Sequence, residues 1–129
     1  MDERIHLIKR NHNYIATLNY GLTIARGKYI ARMDADDKMF PTRLEEQVAV
    51  LDADINIKIC ASYMQLMGGT EIYNSGIQGI IHPFVHLLLL GNFIAHPTVM
   101  LRTDYIRTHQ LKYSPEYIYA EDYQLRAEI

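Results

Sequence analysis

Apolar residues recur every three or four positions through NYIATLNYGLTIARG (13–27), where Ile15, Leu18, Leu22 and Ala25 share one helical face. The spacing predicts a helix. Gly27 stands where a left-handed C-terminal cap is wanted, and Gly21 weakens the middle. KYIARM (28–33) is a short β-branched and aromatic run, read as a strand. Asp34, Asp36 and Asp37 follow at its C-terminal end. Pro41 and Thr42 open a second helix, with Thr42 and Glu45 at the spacing of a capping box. Leu44, Val48 and Leu51 give that helix one apolar stripe. IKICASY (57–63) predicts a second buried strand, and MGGTEIYNSGIQG (67–79), with four glycines, a loop or irregular hairpin. HPFVHLLLLGN (82–92) predicts a helix ending near Gly91. HPTVMLR (96–102) predicts a strand opened by Pro97, TDYIRTH (103–109) a short helix capped by Thr103, and AEDYQLRAEI (120–129) a last helix.

Strands that alternate with helices give an α/β layered sandwich. Composition agrees: 129 residues suit one core, and 49% apolar with 22% charged residues is globular. A formal net charge of −2 lacks the basic footprint of nucleic-acid binding, so no nucleic-acid partner is expected. The single cysteine, Cys60, excludes an internal disulfide and reads as a small core residue in a reducing compartment. The opening MDERIHLIKR is charged, so no cleavable leader is expected there. The longest apolar stretch, FVHLLLLGNFIA, is interrupted by His86, Gly91 and Asn92 and is too short to span a bilayer. The six histidines show no zinc spacing.

Three carboxylates within four positions repel one another unless something neutralises them. Loops at the C-terminal ends of strands in α/β sheets are where ligands usually bind, and clustered carboxylates supply hard oxygen ligands for Mg²⁺ or Mn²⁺. A lone Asp-x-Asp is more often a solvated acidic turn; the strand before it, the helix after it and the charge density shift the balance here. An EF-hand loop would use Asp34, Asp36 and Glu45, but Lys38 occupies a ligand position and Met39 replaces the turn glycine. An aspartate-nucleophile phosphatase would use Asp34 as nucleophile and Asp36 as acid, but Asp37 and Lys38 stand where such enzymes carry a small residue and Thr or Val. A non-catalytic α/β interaction module is a further alternative. Glu121-Asp122, taken alone, is also a plain helix start, where acids suit the dipole.

NYGLTIARGKYIARMDADDKMFPTRLEEQVAVL, HPTVMLR and the Glu121-Asp122 pair of YAEDYQL resemble, in order and spacing, the motif blocks of glycosyltransferase family 2. The resemblance covers residues 2–127. It implies the A-type glycosyltransferase fold, a Rossmann-like layered sandwich for nucleotide-diphospho-sugar transfer. It implies a sugar moved from a nucleotide-diphosphate donor to a hydroxyl of a glycan or lipid-linked acceptor, with Mn²⁺ or Mg²⁺ and inversion at the anomeric carbon. By position, Asp36 matches the metal ligand, Asp34 lies near the donor's ribose or sugar, and Asp37 supports the metal shell or caps the following turn. Asp122 matches the catalytic base and Glu121 the acceptor side. Asn19 and Arg26 match donor-side positions, whereas Arg43, Glu45 and His96 read as structural, His96 with a donor or metal contact as the lesser reading. Leu87–Leu90 reads as core.

The resemblance begins after the family's opening strands, which hold the nucleotide base, and stops before its acceptor-side C-terminal segment. Residues 1–129 are therefore expected to be one partial catalytic domain, truncated at both ends, from a cytoplasmic enzyme associated with the membrane through its remaining segments or its acceptor. Alone, the piece is expected to lack transferase activity, and its open strand edges invite self-association.

Overall fold

The structure, a computed structural model, describes residues 2–69, 72–73, 78–81, 89 and 91–129. The first helix, α1 (Tyr14–Ile24), starts where the Asn13 side chain accepts from the Ala16 N–H at 2.9 Å. Ile15 and Leu22 are buried along the expected face. The helix ends earlier than expected: Ala25 is already extended (φ −58°, ψ 132°), and Gly27 is not the left-handed cap. A Cβ at Gly27 would lie 3.0 Å from the Tyr29 carbonyl oxygen, so close backbone approach is what this glycine serves.

Strand β1 (Tyr29–Ala31) leads into the aspartate turn, and α2 (Arg43–Ala53) follows. Thr42 makes no capping hydrogen bond. Its backbone is helical (φ −88°, ψ −8°) rather than extended, so the expected capping box does not form. The expected stripe of α2 holds at Leu51 and, half-buried, at Val48, but not at Leu44. Leu44 is exposed, while Gln47 and Leu51 are buried. Gln47 Nε2 donates to the Thr98 carbonyl at 2.7 Å, and Arg43 Nη2 donates to the Arg32 carbonyl at 2.8 Å. Polar ties dock this helix as much as apolar contact does.

Strand β2 is only Ile59–Cys60, because beyond it the Ser62 N–H turns to the Thr98 hydroxyl instead of a strand. Strands β3 (Met64–Gln65) and β4 (Ile72–Tyr73) pair antiparallel around Gly68 at φ +83°, so the hairpin begins ahead of the expected span 67–79. The helix expected over HPFVHLLLLGN falls mostly on residues outside those described; Leu89, expected in the core, is 82% exposed. His96–Thr98 forms a 3₁₀ turn rather than strand, since Pro97 has no N–H to offer a ladder and Thr98 N–H returns to the Ala95 carbonyl. Strand β5 is then Met100–Arg102, followed by α3 (Thr103–Thr108), a 3₁₀ turn at Pro115–Tyr117, and α4 (Glu121–Ala127). Thr103 lies inside α3; its hydroxyl is buried without a partner among the described residues and caps nothing.

The main sheet has the order β1-β5-β2, with β5 antiparallel to both neighbours: Ala31 faces Met100 on one side and Cys60 faces Met100 on the other. β1 and β2 therefore run parallel, joined by a crossover through α2. All three β5 residues are buried because both faces are covered. Leu101 joins Ile15, Leu22, Ile106, Tyr113 and Leu125 in the core beneath α1, α3 and α4. Arg102 points to the opposite face and binds carbonyls at the C-terminal end of α2. The result is the expected α/β layering. Antiparallel pairing has one consequence for function: the N-terminal approach to β5 lies beside the C-terminal ends of β1 and β2, so His96 and the aspartate turn share one rim of the sheet. Among the described residues, no helix is long and apolar enough to cross a membrane.

Candidate active site

The aspartate turn is closed by the Asp37 N–H donating to the Asp34 carbonyl at 3.3 Å. Its three carboxylates have different surroundings. Asp34 is paired with Arg32, whose Nη2 and Nη1 reach its two oxygens at 2.6 and 2.8 Å. Residues two apart in extended chain lie on the same side, which permits this fork. Burial opposes the Arg32 charge, but the Asp34 carboxylate more than offsets it and raises the guanidinium's pKa. Arg32 is anchored further by the Tyr14 hydroxyl at 3.1 Å, so the start of α1 also abuts the site. Asp36 and Asp37 are exposed, and their side chains accept no hydrogen bond among the described residues.

Asp122 stands on the first turn of α4 and is largely covered, 14% exposed. Its Oδ1 accepts from the Tyr123 N–H at 2.7 Å. Its Oδ2 accepts from Arg126 Nη2 at 2.7 Å and from Asn92 Nδ2 at 3.2 Å. Burial alone would push this carboxyl up; the Arg126 guanidinium and the Asn92 amide outweigh it and hold the pKa below the ordinary carboxylate value. Asp122 is thus an ionised carboxylate in a partly dry site.

His96 feels the charges of both arginine–aspartate pairs and is bonded through Nε2 to the Tyr113 hydroxyl at 3.0 Å. Burial, together with the nearby Arg32 charge, lowers its pKa to about 4, so the ring is neutral. Burial likewise raises the Tyr113 phenol to about 12. Asp34 and Asp122 both act electrostatically on His96, which marks the rim where residues 88 positions apart come together.

The other candidates lie elsewhere or are engaged. Asn19 accepts from the Tyr113 N–H and donates to the Tyr113 carbonyl, both at 2.8 Å; its amide holds the segment carrying Tyr113. Arg26 is exposed beyond the far end of α1, roughly 16 Å of helix from Tyr14. It lines an open cleft with Ile5, Leu7, Ile8 and Ile24. Glu121 is 7% exposed, with no partner for its Oε2 among the described residues. Arg32, Asn92, Tyr113 and Arg126 were not singled out from the sequence. Arg126 had a signal: it lies four residues after Asp122, the spacing of a helical ion pair.

Among the described residues no three His, Cys, Asp or Glu side chains cluster closely enough to form a metal site. The side-chain oxygens of Asp36 and Asp37, exposed and without hydrogen bonds among the described residues, are hard donors of the type that suits a divalent cation.

Residues 1–113 match the family model for glycosyl transferase family 2. The chain belongs to glycosyl transferase family 2. Its α/β layering is the architecture this membership implies, and the phosphatase reading of Asp34 loses its basis. Across 141 aligned residues, the whole of this chain, the family member is 35% identical to an uncharacterized glycosyltransferase of Haemophilus influenzae and covers 44% of it. It is 35% identical over 108 residues to the proposed glycosyltransferase EpsE of Bacillus subtilis, which takes in 82% of this chain and 38% of that protein. It is 30% identical over 90 residues to the O-antigen biosynthesis glycosyltransferase WbnJ of Escherichia coli, with 69% of this chain and 35% of that protein aligned. The chain spans less than half the length of these relatives. No solved structure matches it.

Proposed function

We propose that residues 1–129 carry the metal- and base-bearing part of a glycosyltransferase catalytic domain that passes a sugar from a nucleotide-diphosphate donor to an acceptor hydroxyl with inversion. One observation supports the reading: Asp34, after β1, and Asp122, on α4, both act on one half-buried neutral histidine at the rim of the sheet where β1 and β2 end. Asp122 is the general base. It takes the acceptor hydroxyl's proton as that oxygen bonds to the anomeric carbon and the bond from that carbon to the donor's diphosphate breaks. A base must be ionised before it acts, and the Arg126 pairing keeps Asp122 so. Asp34, fixed by Arg32, faces the donor's sugar or ribose. Asp36, seconded by Asp37, would hold Mn²⁺ or Mg²⁺. When bound, that cation neutralises the departing diphosphate. The acceptor class, a glycan or lipid-linked sugar, is inferred from the family, with polysaccharide or O-antigen assembly as the setting suggested by WbnJ.

The test is Asp36→Asn in the full-length protein. Nucleoside-diphosphate release from nucleotide sugar, measured with acceptor and Mn²⁺ or Mg²⁺, is expected to fall by about 10²–10³ with the thermal midpoint unchanged. Metal-dependent turnover at the wild-type rate would remove Asp36 from the metal role.

A further inference from the structure

Arg126 is buried, its side chain 3% exposed, on the last turn of α4. Its Nη2 donates to Asp122 Oδ2 at 2.7 Å and to Asn92 Oδ1 at 2.6 Å, while Asn92 Nδ2 donates to the same Asp122 oxygen at 3.2 Å. The three side chains close a triangle around one carboxylate oxygen. Arg126 Nε and Nη1 find no partner among the described residues. Burying a guanidinium with two nitrogens unpaired is costly, and buried ion pairs can often be replaced by apolar residues without loss of stability. The pair as a whole is therefore not explained by stability, although with Asp122 in place the arginine also neutralises a largely buried carboxylate. Its geometry is specific instead: it clamps one oxygen of Asp122, and the Tyr123 N–H holds the other at 2.7 Å, which fixes the carboxylate plane.

We propose that Arg126, tied by Asn92, is the positioning residue of the general base: it fixes the Asp122 carboxylate in one orientation and keeps it charged as the acceptor hydroxyl arrives. The inference rests on the reading of Asp122 as base. The groups facing Asp122 are Arg126 on its own helix, Asn92 and His96 from the approach to β5, and Tyr113; Arg32 and Asp34 act electrostatically on His96. His96 is neutral above about pH 4, so at working pH Arg126 is the cation that offsets the burial of Asp122. Without it, the Asn92 amide is left as the main group opposing burial, and the carboxyl takes up its proton at higher pH.

The experiment is the pH dependence of kcat/KM for sugar transfer by the full-length protein, as wild type, Arg126→Met, Arg126→Lys, Asn92→Leu and Asp122→Asn, with donor KM and thermal midpoint recorded for each. In Arg126→Met the acidic limb is expected to move up by about one pH unit or more while donor KM holds. Arg126→Lys should restore part of that shift, and Asn92→Leu should give a smaller shift in the same direction. The two milder variants carry the test if Arg126→Met does not fold. Acidic limbs that superimpose on wild type, with any rate loss tracking the thermal midpoint, would overturn the positioning role. If Asp122→Asn were inactive while those limbs stayed put, this inference alone would fail. If Asp122→Asn transferred sugar normally, the base reading would fail and take the inference with it.

Discussion

Neutral imidazole at His96 follows from where the ring sits: half-buried, bonded to a buried tyrosine and flanked by two guanidinium groups. Its folded pKa of about 4 lies below the ordinary 6.5, so between these values the unfolded chain binds a proton that the folded chain does not. Stability from this residue is fully present above about pH 6.5 and drains away as pH falls toward 4. Asp122, with its lowered pKa, adds a loss of the same sign at more acidic pH. The thermal midpoint is therefore expected to drop between pH 6.5 and 4, with a shallower slope in that window for His96→Gln; parallel slopes would show that the ring titrates normally. The aspartates were legible because their density and place after a strand are local facts. Their partners were less so. Arg32 reaches Asp34 only because the chain is extended there, and the contact of Asn92 with Asp122 depends on tertiary folding. His96 read as structural because one line of sequence cannot show two distant charged pairs closing on it.

Elements were found more readily than their ends. The helical face of α1 and the strand at β1 stood out, since apolar period is set by core contact. Caps failed where the backbone took another route: Thr42 is helical, Thr103 lies inside α3, and α1 stops before Gly27. The buried side of α2 was read in part: Leu51 is buried and Val48 half-buried as expected and Arg43 fixes the helix, but Leu44 is exposed and the polar Gln47, which docks to the Thr98 carbonyl, was missed. Arg102 gives the clearest case of such docking. It is 3% exposed, and its guanidinium donates to the Ile57 carbonyl at 2.7 Å, the Asp54 carbonyl at 2.9 Å and the Leu51 carbonyl. It thereby satisfies acceptors at the C-terminal end of α2, where no intrahelical donor remains. Arg102→Met should lower unfolding free energy by about 2–3 kcal/mol, since it strands buried acceptors. Urea unfolding followed by circular dichroism measures it; a loss under about 0.5 kcal/mol, the range of a surface substitution, would mean the carbonyls find other donors.

At the scale of the whole molecule, an antiparallel β5 between parallel β1 and β2 brings the approach to one strand beside the exits of two others. That topology sets His96 and Asp34 on one rim, to which Asn92 ties Asp122 of α4, and it was not legible from element order, which is silent on strand direction. The layered class was legible, because alternating strands and helices allow few other packings. The central claim is that this rim performs sugar transfer with Asp122 as base, and single-turnover transfer by Asp122→Asn in the full-length protein, with donor affinity measured alongside, tests it most directly. The account predicts a rate loss of about 10²–10⁴, the usual contribution of a general base, with donor and metal binding intact. Transfer at the wild-type rate, or donor affinity collapsing together with the rate, would contradict it.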